Sequence, residues 1–282
     1  MNNNPPIYIW HKRLNEQHTL AGTLTYIPAK KAKPEKFIFN YKADYTGIVS
    51  LLALENESIY EGRLPPFFET NLPEGARMQA ISQKYAKIMP QNPAHLLTFC
   101  GLNGIGCLAY GYSSDAIEDV KIVNVPNYEQ FLHQGKTLFH AMFNDLAIHD
   151  GVSGVQPKLL ALSADYTGET NKISSMEGRT WVDKETIVKG DNKDFPHLAM
   201  VEFLSMSAAQ LSGIPIPFIE LSDDQELLLV KRFDLDSNNK PLAVEESSSL
   251  CEKGNKNKYQ GSYSDWTLDK EDKTSTFNII IL

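Results

Sequence analysis

The sequence predicts an α+β fold made of a β-rich N-terminal unit followed by a second unit of mixed strands and helices. Three observations predict it. Residues 7–45 hold three segments in which apolar and polar side chains alternate, the period of a half-buried strand. From about residue 140 the order changes to a glycine-bearing loop, strands, one long apolar helix and two further strands. That helix, "HLAMVEFLSMSAAQLSG", stops at Gly213, the residue type that ends helices in a left-handed conformation.

The elements follow in order. "IYIWHKRL", "HTLAGTLTYIP" and "KFIFNYKADY" read as strands. "PAHLLTFCGLNGIGCLAYGY" reads as a short helix, a glycine-bearing turn and a strand, the glycines serving turns and close packing. In "NYEQFLHQGKTLFHAMFND" the spacing of Phe131, Leu138, Met142 and Phe143 predicts a helix with those residues in the core. The loop "DGVSGVQPK" leads into the strand "LLALSAD", and "RTWVDKETIVKGD" reads as another strand, carrying Lys189. After the helix, "IPIPFIELS" and "ELLLVKRFDL" are two strands joined by the polar turn "DDQ".

Composition bounds the function. A chain of 282 residues, 42% hydrophobic and 22% charged, can bury a sizeable core in one large or two modest domains. With 27 basic against 35 acidic residues the net charge is −8, which argues against nonspecific DNA binding but leaves contact through a basic partner. Three cysteines, Cys100, Cys107 and Cys251, form no Cys-x-x-Cys pair and are expected as reduced thiols. No apolar run reaches signal-peptide or membrane-span length, so a cytoplasmic protein with no bound membrane is expected.

The second unit has the order of a protein-kinase small lobe: a flexible loop over phosphates, a lysine on a strand, an acid on the next helix. The loop is Gly151 to Lys158, the strand lysine is Lys189 and the helix acid is Glu202. Glu202 is the one acid of its helix, among Val201, Phe203 and Leu204. It is either buried and paired or solvent-facing on an amphipathic helix. "ELLLVKRFDL" would be the hinge strand holding adenine, with Phe233 either its apolar platform or a core aromatic.

"SGVQPK", "IVKGD", "HLAMVEFLSMSAAQLSGIPIP" and "LLLVKRFD", preceded by "AGTLTY", "FIFNY", "LPEG" and "LLTFCGLNGIGCLAY", resemble in ordered succession the HipA family. These are bacterial serine/threonine kinases that act as toxins of toxin–antitoxin pairs. The resemblance runs from about Ile7 to about Asp265. It implies a HipA N-terminal subdomain at 1–112, a kinase-like small lobe at 113–235, the start of the large lobe at 236–265 and an unrelated tail at 266–282. The helical large lobe would then be mostly missing.

The resemblance also implies ATP and Mg2+ as cofactors. Ser153, Gly154, Val155, Gln156, Lys158 and Lys189 would contact the nucleotide, with Lys231 and Phe233 at the hinge. Glu202 would support Lys189. Relatives carry a regulatory autophosphorylated serine where this chain has Gly151, which leaves Ser153 as the loop candidate. Relatives often have glutamate where Lys231 stands, and Asp234 matches the family's Arg-Phe-Asp. Partners implied are a helix-turn-helix antitoxin of the HipB type, DNA through that antitoxin, and, for an active kinase, a protein substrate such as an aminoacyl-tRNA synthetase.

The family's catalytic loop reads Asp-x-His-x-Lys-Asn, after the hinge. The last histidine here is His197, before the hinge, so the motif is absent and no catalytic or metal ligand is assigned. Asp234 and Asn239 have the Asp-x-x-x-x-Asn spacing of a kinase catalytic loop but follow the hinge strand directly, where "DLDSNNK" reads as a solvent turn. The resemblance ends near Asp265, before "WTLDKEDKTSTFNIIIL", as in a gene broken or truncated there. Loss of the large lobe is expected to expose apolar surface at the hinge and at "VEESSSLCEKG". Two functional expectations result: a kinase toxin that binds ATP but is inactive in this short form, or a non-catalytic interaction protein binding the antitoxin or an intact kinase.

Overall fold

A computed structural model of the chain describes residues 5–14, 17–53, 55–87, 89–90, 92–101, 103–115, 118–119, 126–146, 150–151, 156–162, 173–176, 179–182, 184–191, 196–255, 257 and 279–281. In chain order the N-terminal elements are β1 (Ile7–Leu14), β2 (Gln17–Ile27), β3 (Lys36–Tyr41), β4 (Glu57–Glu61), α1 (Pro66–Glu69), α2 (Gly75–Tyr85), α3 (Pro93–Cys100), β5 (Asn103–Gly104) and β6 (Leu108–Gly111). Then come β7 (Glu118–Asp119), α4 (Tyr128–Leu146), β8 (Asp150–Gly151), β9 (Lys158–Ala161), β10 (Ile173–Met176), β11 (Arg179–Val182) and β12 (Thr186–Gly190). The remainder is α5 (Leu198–Leu211), β13 (Ile219–Leu221), β14 (Leu227–Lys231), β15 (Ala243–Glu245), α6 (Ser247–Leu250) and β16 (Ile279–Ile281).

The first unit is a five-stranded sheet of order β4-β3-β2-β1-β6. Its β1–β2, β2–β3, β3–β4 and β1–β6 pairs are all antiparallel. Alternation puts Ile7, Ile9, Leu24, Phe37 and Phe39 on one face, where they pack with Phe67 and Phe68 of α1 and Leu97 of α3. Phe39 meets both Phe67 and Phe68 edge-on, the arrangement the ring quadrupoles favour.

The second unit is a four-stranded antiparallel sheet, β13-β14-β12-β9. Helix α4 covers one face, with Phe131 and Phe139 against Leu159, Val188, Leu227 and Leu229. Helix α5 covers the other, with Ala199 beside Leu160, Ile187, Leu228 and Val230. Burial on both faces explains the unbroken apolar run "LLLV" in β14. Gly190, ending β12, permits this packing: a Cβ there would stand 2.7 Å from the Phe139 ring.

Two expectations are corrected. "RTWVDKETIVKGD" is not one strand: β11 pairs with β10, while β12 lies between β9 and β14. Between them the carbonyls of Lys184 and Glu185 are drawn to Arg232, through its Nη1 at 3.0 Å and its backbone N–H at 2.8 Å. The "VEESSSLCEKG" stretch is not exposed: Glu245, Ser249 and Leu250 are buried, and α6 packs on α1. Exposed apolar side chains stand at the hinge, at Phe233, and on α5 and just after it, at Val201, Leu204, Leu211, Ile214 and Phe218. Of the C-terminal tail, β16 pairs in parallel with β15; the remainder lies outside the described residues. No described helix is long and apolar enough to cross a membrane.

Candidate functional site

The units meet along a cleft of about 180 Å³. The small-lobe sheet contributes Lys158, Ile187, Lys189 and Val230, with Phe233 just beyond it; the N-terminal unit contributes Val49, Phe67, Asn71 and the Ile105–Leu108 segment; Glu245 and Glu246 line it too.

Its charged lining is two lysines, Lys158 and Lys189, and two glutamates, Glu245 and Glu246. Antiparallel pairing sets Lys158 directly opposite Lys189, so both side chains leave the same face, and both line the cleft. Two ammonium groups on one cross-strand pair repel. They also form a ready receptor for an anion. Lys189 Nζ donates to Glu202 Oε1. The pair is largely shielded from solvent, at 18% and 26% side-chain exposure, so the contact is worth more than an open surface pair.

The backbone explains how Glu202 reaches Lys189. Asp191 follows β12 directly, and its carboxylate accepts from the backbone N–H of His197 at 2.5 Å and of Ala199 at 2.9 Å. These are N–H groups of the first turn of α5, which lack intrahelical acceptors. His197, at the helix start, has a left-handed φ of 59° and makes no side-chain cap bond. Asp191 therefore caps α5 from outside, ties it to the end of β12, and sets Glu202 one turn in, facing Lys189.

The other expected residues fall as follows. Ser153, Gly154 and Val155 lie outside the described residues. The Gln156 side-chain nitrogen is buried and has no hydrogen-bond partner among the described residues. Phe233 lines the cleft at 36% exposure, a wall residue and not a core one. Lys231 is exposed and absent from the cleft lining; its backbone N–H donates to Phe218 O at 2.9 Å. Among the described residues no three His, Cys, Asp or Glu side chains gather to hold a metal ion, so no step is assigned to magnesium.

Asp234 is a buried anchor. Arg232 grips its carboxylate through Nε at 2.9 Å and Nη2 at 2.5 Å, and Gly106 N–H donates to it at 2.7 Å. Burial by itself would raise this carboxyl; the Arg232 hydrogen bonds and charge, the Gly106 amide and the Lys12 charge outweigh it and hold it below its ordinary value. The solvent turn is the following segment, closed by Asp236 N–H to Lys240 O at 2.9 Å and Asn239 N–H to Asp236 O at 3.0 Å. Cys107 and Cys251 are free thiols. Burial pushes the Cys107 thiol up to about 12.

The sequence reading missed Asp191, Lys12 and Glu245. An acid closing "TIVKGD" just before a helix was the one available signal, for Asp191.

Two family models match the chain, the HipA N-terminal domain over residues 15–111 and the HipA-like C-terminal domain over residues 151–269. The chain belongs to the HipA family. No curated protein matches it. Among solved structures it is similar to a chain of the Shewanella oneidensis MR-1 toxin–antitoxin complex of HipA, HipB and operator DNA, with a TM-score of 0.54 and 17% identity. The match covers 88% of this chain and 58% of that one, so the present HipA chain spans little more than half the length of that protein. At this identity the likeness is one of fold.

Proposed function

We propose that this HipA chain binds ATP in the cleft between its two units, as the nucleotide-holding part of a HipA-type serine/threonine kinase. One observation carries the reading: Lys158 and Lys189 stand opposite each other inside an apolar-walled cleft, with Glu202 orienting Lys189. The two ammonium groups would hold phosphate oxygens. The Gln156 amide nitrogen, buried and without a hydrogen-bond partner among the described residues, is a further candidate donor. Ile187, Val230 and Phe233 would receive the base. Ser153 is the regulatory phosphorylation site in this reading. A helix-turn-helix antitoxin, through which DNA is reached, is the partner, by analogy with the HipB of the Shewanella complex.

Transfer to a protein hydroxyl needs a catalytic aspartate, and no Asp-x-His-x-Lys-Asn stands in the sequence. A second reading is a non-catalytic interaction protein that binds nucleotide without spending it. A radiolabelled ATP assay separates them. Autophosphorylation abolished by Lys189→Ala supports a kinase. Saturable ATP binding without transfer, lost in the same variant, supports the second. No binding by the wild-type chain refutes the nucleotide reading.

A further inference from the structure

We propose that β8, at the start of the nucleotide loop, is positioned from outside its own lobe, by a buried clamp of Lys12, Arg232 and Asp234 acting through the segment Asn103–Gly106. The proposal rests on the nucleotide reading above and names its positioning residues.

A loop is as fixed as its two ends. One end, Lys158, opens β9 and is held in the small-lobe sheet opposite Lys189. The other, β8, pairs with a different sheet partner: it runs parallel to β5, with Asn103 opposite Asp150 and Gly104 opposite Gly151. Two residues of parallel pairing are too little to persist unaided. Something must hold β5 still.

The clamp does so. Lys12 Nζ donates to Gly104 O at 3.0 Å, and the Lys12 backbone N–H donates to Cys107 O at 2.6 Å. On the far side Gly106 N–H donates to Asp234 Oδ2 at 2.7 Å. Asp234 is itself fixed by Arg232, whose Nη1 donates to Lys184 O at 3.0 Å. Lys12, Arg232 and Asp234 are 1%, 6% and 0% exposed. Burying three charges is costly unless every one is well bonded, and here their bonds converge on one short segment. Phe233, between Arg232 and Asp234 in sequence, lines the cleft. The clamp thus couples a cleft wall, the N-terminal sheet and the start of the loop.

If the clamp loosens, β8 is paired with β5 for a smaller fraction of the time, and apparent affinity falls by that fraction. The test is hydrogen–deuterium exchange on the full chain, paired with ATP titration. Lys12→Met keeps the stem and removes the ammonium. It should raise exchange in residues 103–106 and 150–158, leave β2 and β3 protected, and weaken ATP binding about tenfold. Lys12→Arg, which keeps a donor for Gly104 O, should restore protection. Unchanged exchange at 150–158, or an equal rise throughout both sheets, overturns the proposal.

Should Lys12→Met fail to fold, Gly151→Pro leaves the clamp intact and removes one N–H of β8. It should raise exchange at 152–158 alone. Where Lys12→Met does fold, it should add no further loss of affinity to Gly151→Pro in the double variant; additive losses overturn the route through β5 and β8. A wild-type chain that binds no ATP refutes the nucleotide reading, and the exchange comparison then decides the clamp by itself.

Discussion

Glu245 Oε2 accepts the backbone N–H of Leu51 at 2.9 Å, while its Oε1 accepts the Ser50 hydroxyl at 2.5 Å. This joins the segment after the hinge to the N-terminal unit across 194 residues of sequence. It explains why the "VEESSSLCEKG" stretch is covered. Glu245 also accepts the Ser249 hydroxyl at 3.5 Å, and removing this buried acceptor strips the Leu51 N–H and both hydroxyls of it. Glu245→Ala should therefore cost about 2–3 kcal/mol in urea unfolding. Ser50→Ala, which removes one donor and leaves Glu245 bonded to Leu51, should cost about 1 kcal/mol.

Gly135 interrupts α4 with φ 52° and ψ −139°. The Asp224 carboxylate fills its open side, 2.1 Å from where a Cβ would stand. Asp224 there accepts the Lys136 backbone N–H at 2.8 Å and the Ser222 hydroxyl at 2.6 Å. Gly135→Ala combines backbone strain with a clash and should lower stability by more than about 2 kcal/mol. Asp224→Ala removes the clashing group. The double variant should therefore be more stable than the sum of the two losses implies, as read by a thermal-melt cycle.

His11 titrates in the wrong place for an ordinary histidine. Burial first, then the charges of Lys240 and Lys12, lower it to about 4, and its Nδ1 lies 2.6 Å from the Tyr45 hydroxyl. The unfolded chain takes up a proton near pH 6.5 and the folded chain resists until about 4. The stability this contributes is whole above the unfolded value and is lost as pH falls through that window, on the order of 3 kcal/mol in all. His133, raised by its Asp223 hydrogen bond, works in the opposite sense. Urea titrations between pH 7 and 5 should show a flatter slope for His11→Gln than for the wild type. Equal slopes would refute the assignment.

Local pattern made much of this legible. The strands of the first sheet alternate, and β14 is a continuous apolar run because α4 and α5 bury both its faces. Lys189 and Glu202 were legible from the order of loop, strand and helix. The clamp was not, because Lys12 and Gly104 lie 92 residues apart and Gly106 and Asp234 lie 128 apart. Nor was the burial of Asp234: "DLDSNNK" is polar but for Leu235, and it is the contacts with Arg232 and Gly106 that distinguish its first aspartate from a solvent one. Lys231 sat in a hinge motif, yet strand alternation turns it away from the cleft that its neighbour Val230 lines.

The cross-strand lysines give a last prediction. Lys158 and Lys189 share one register position and one cleft, so their mutual repulsion falls when an anion of sufficient charge sits between them. Pyrophosphate should then raise the thermal midpoint even without a nucleoside, by up to about 2.7 kcal/mol of stability at a hundredfold excess over Kd. Lys158→Gln and Lys189→Gln should each reduce that rise. Lys231→Gln, outside the cleft, should leave it unchanged. Raising ionic strength with sodium chloride should weaken the effect, since chloride screens without bridging. A pyrophosphate response that survives both cleft substitutions would place the anion elsewhere and remove the phosphate role from this lysine pair.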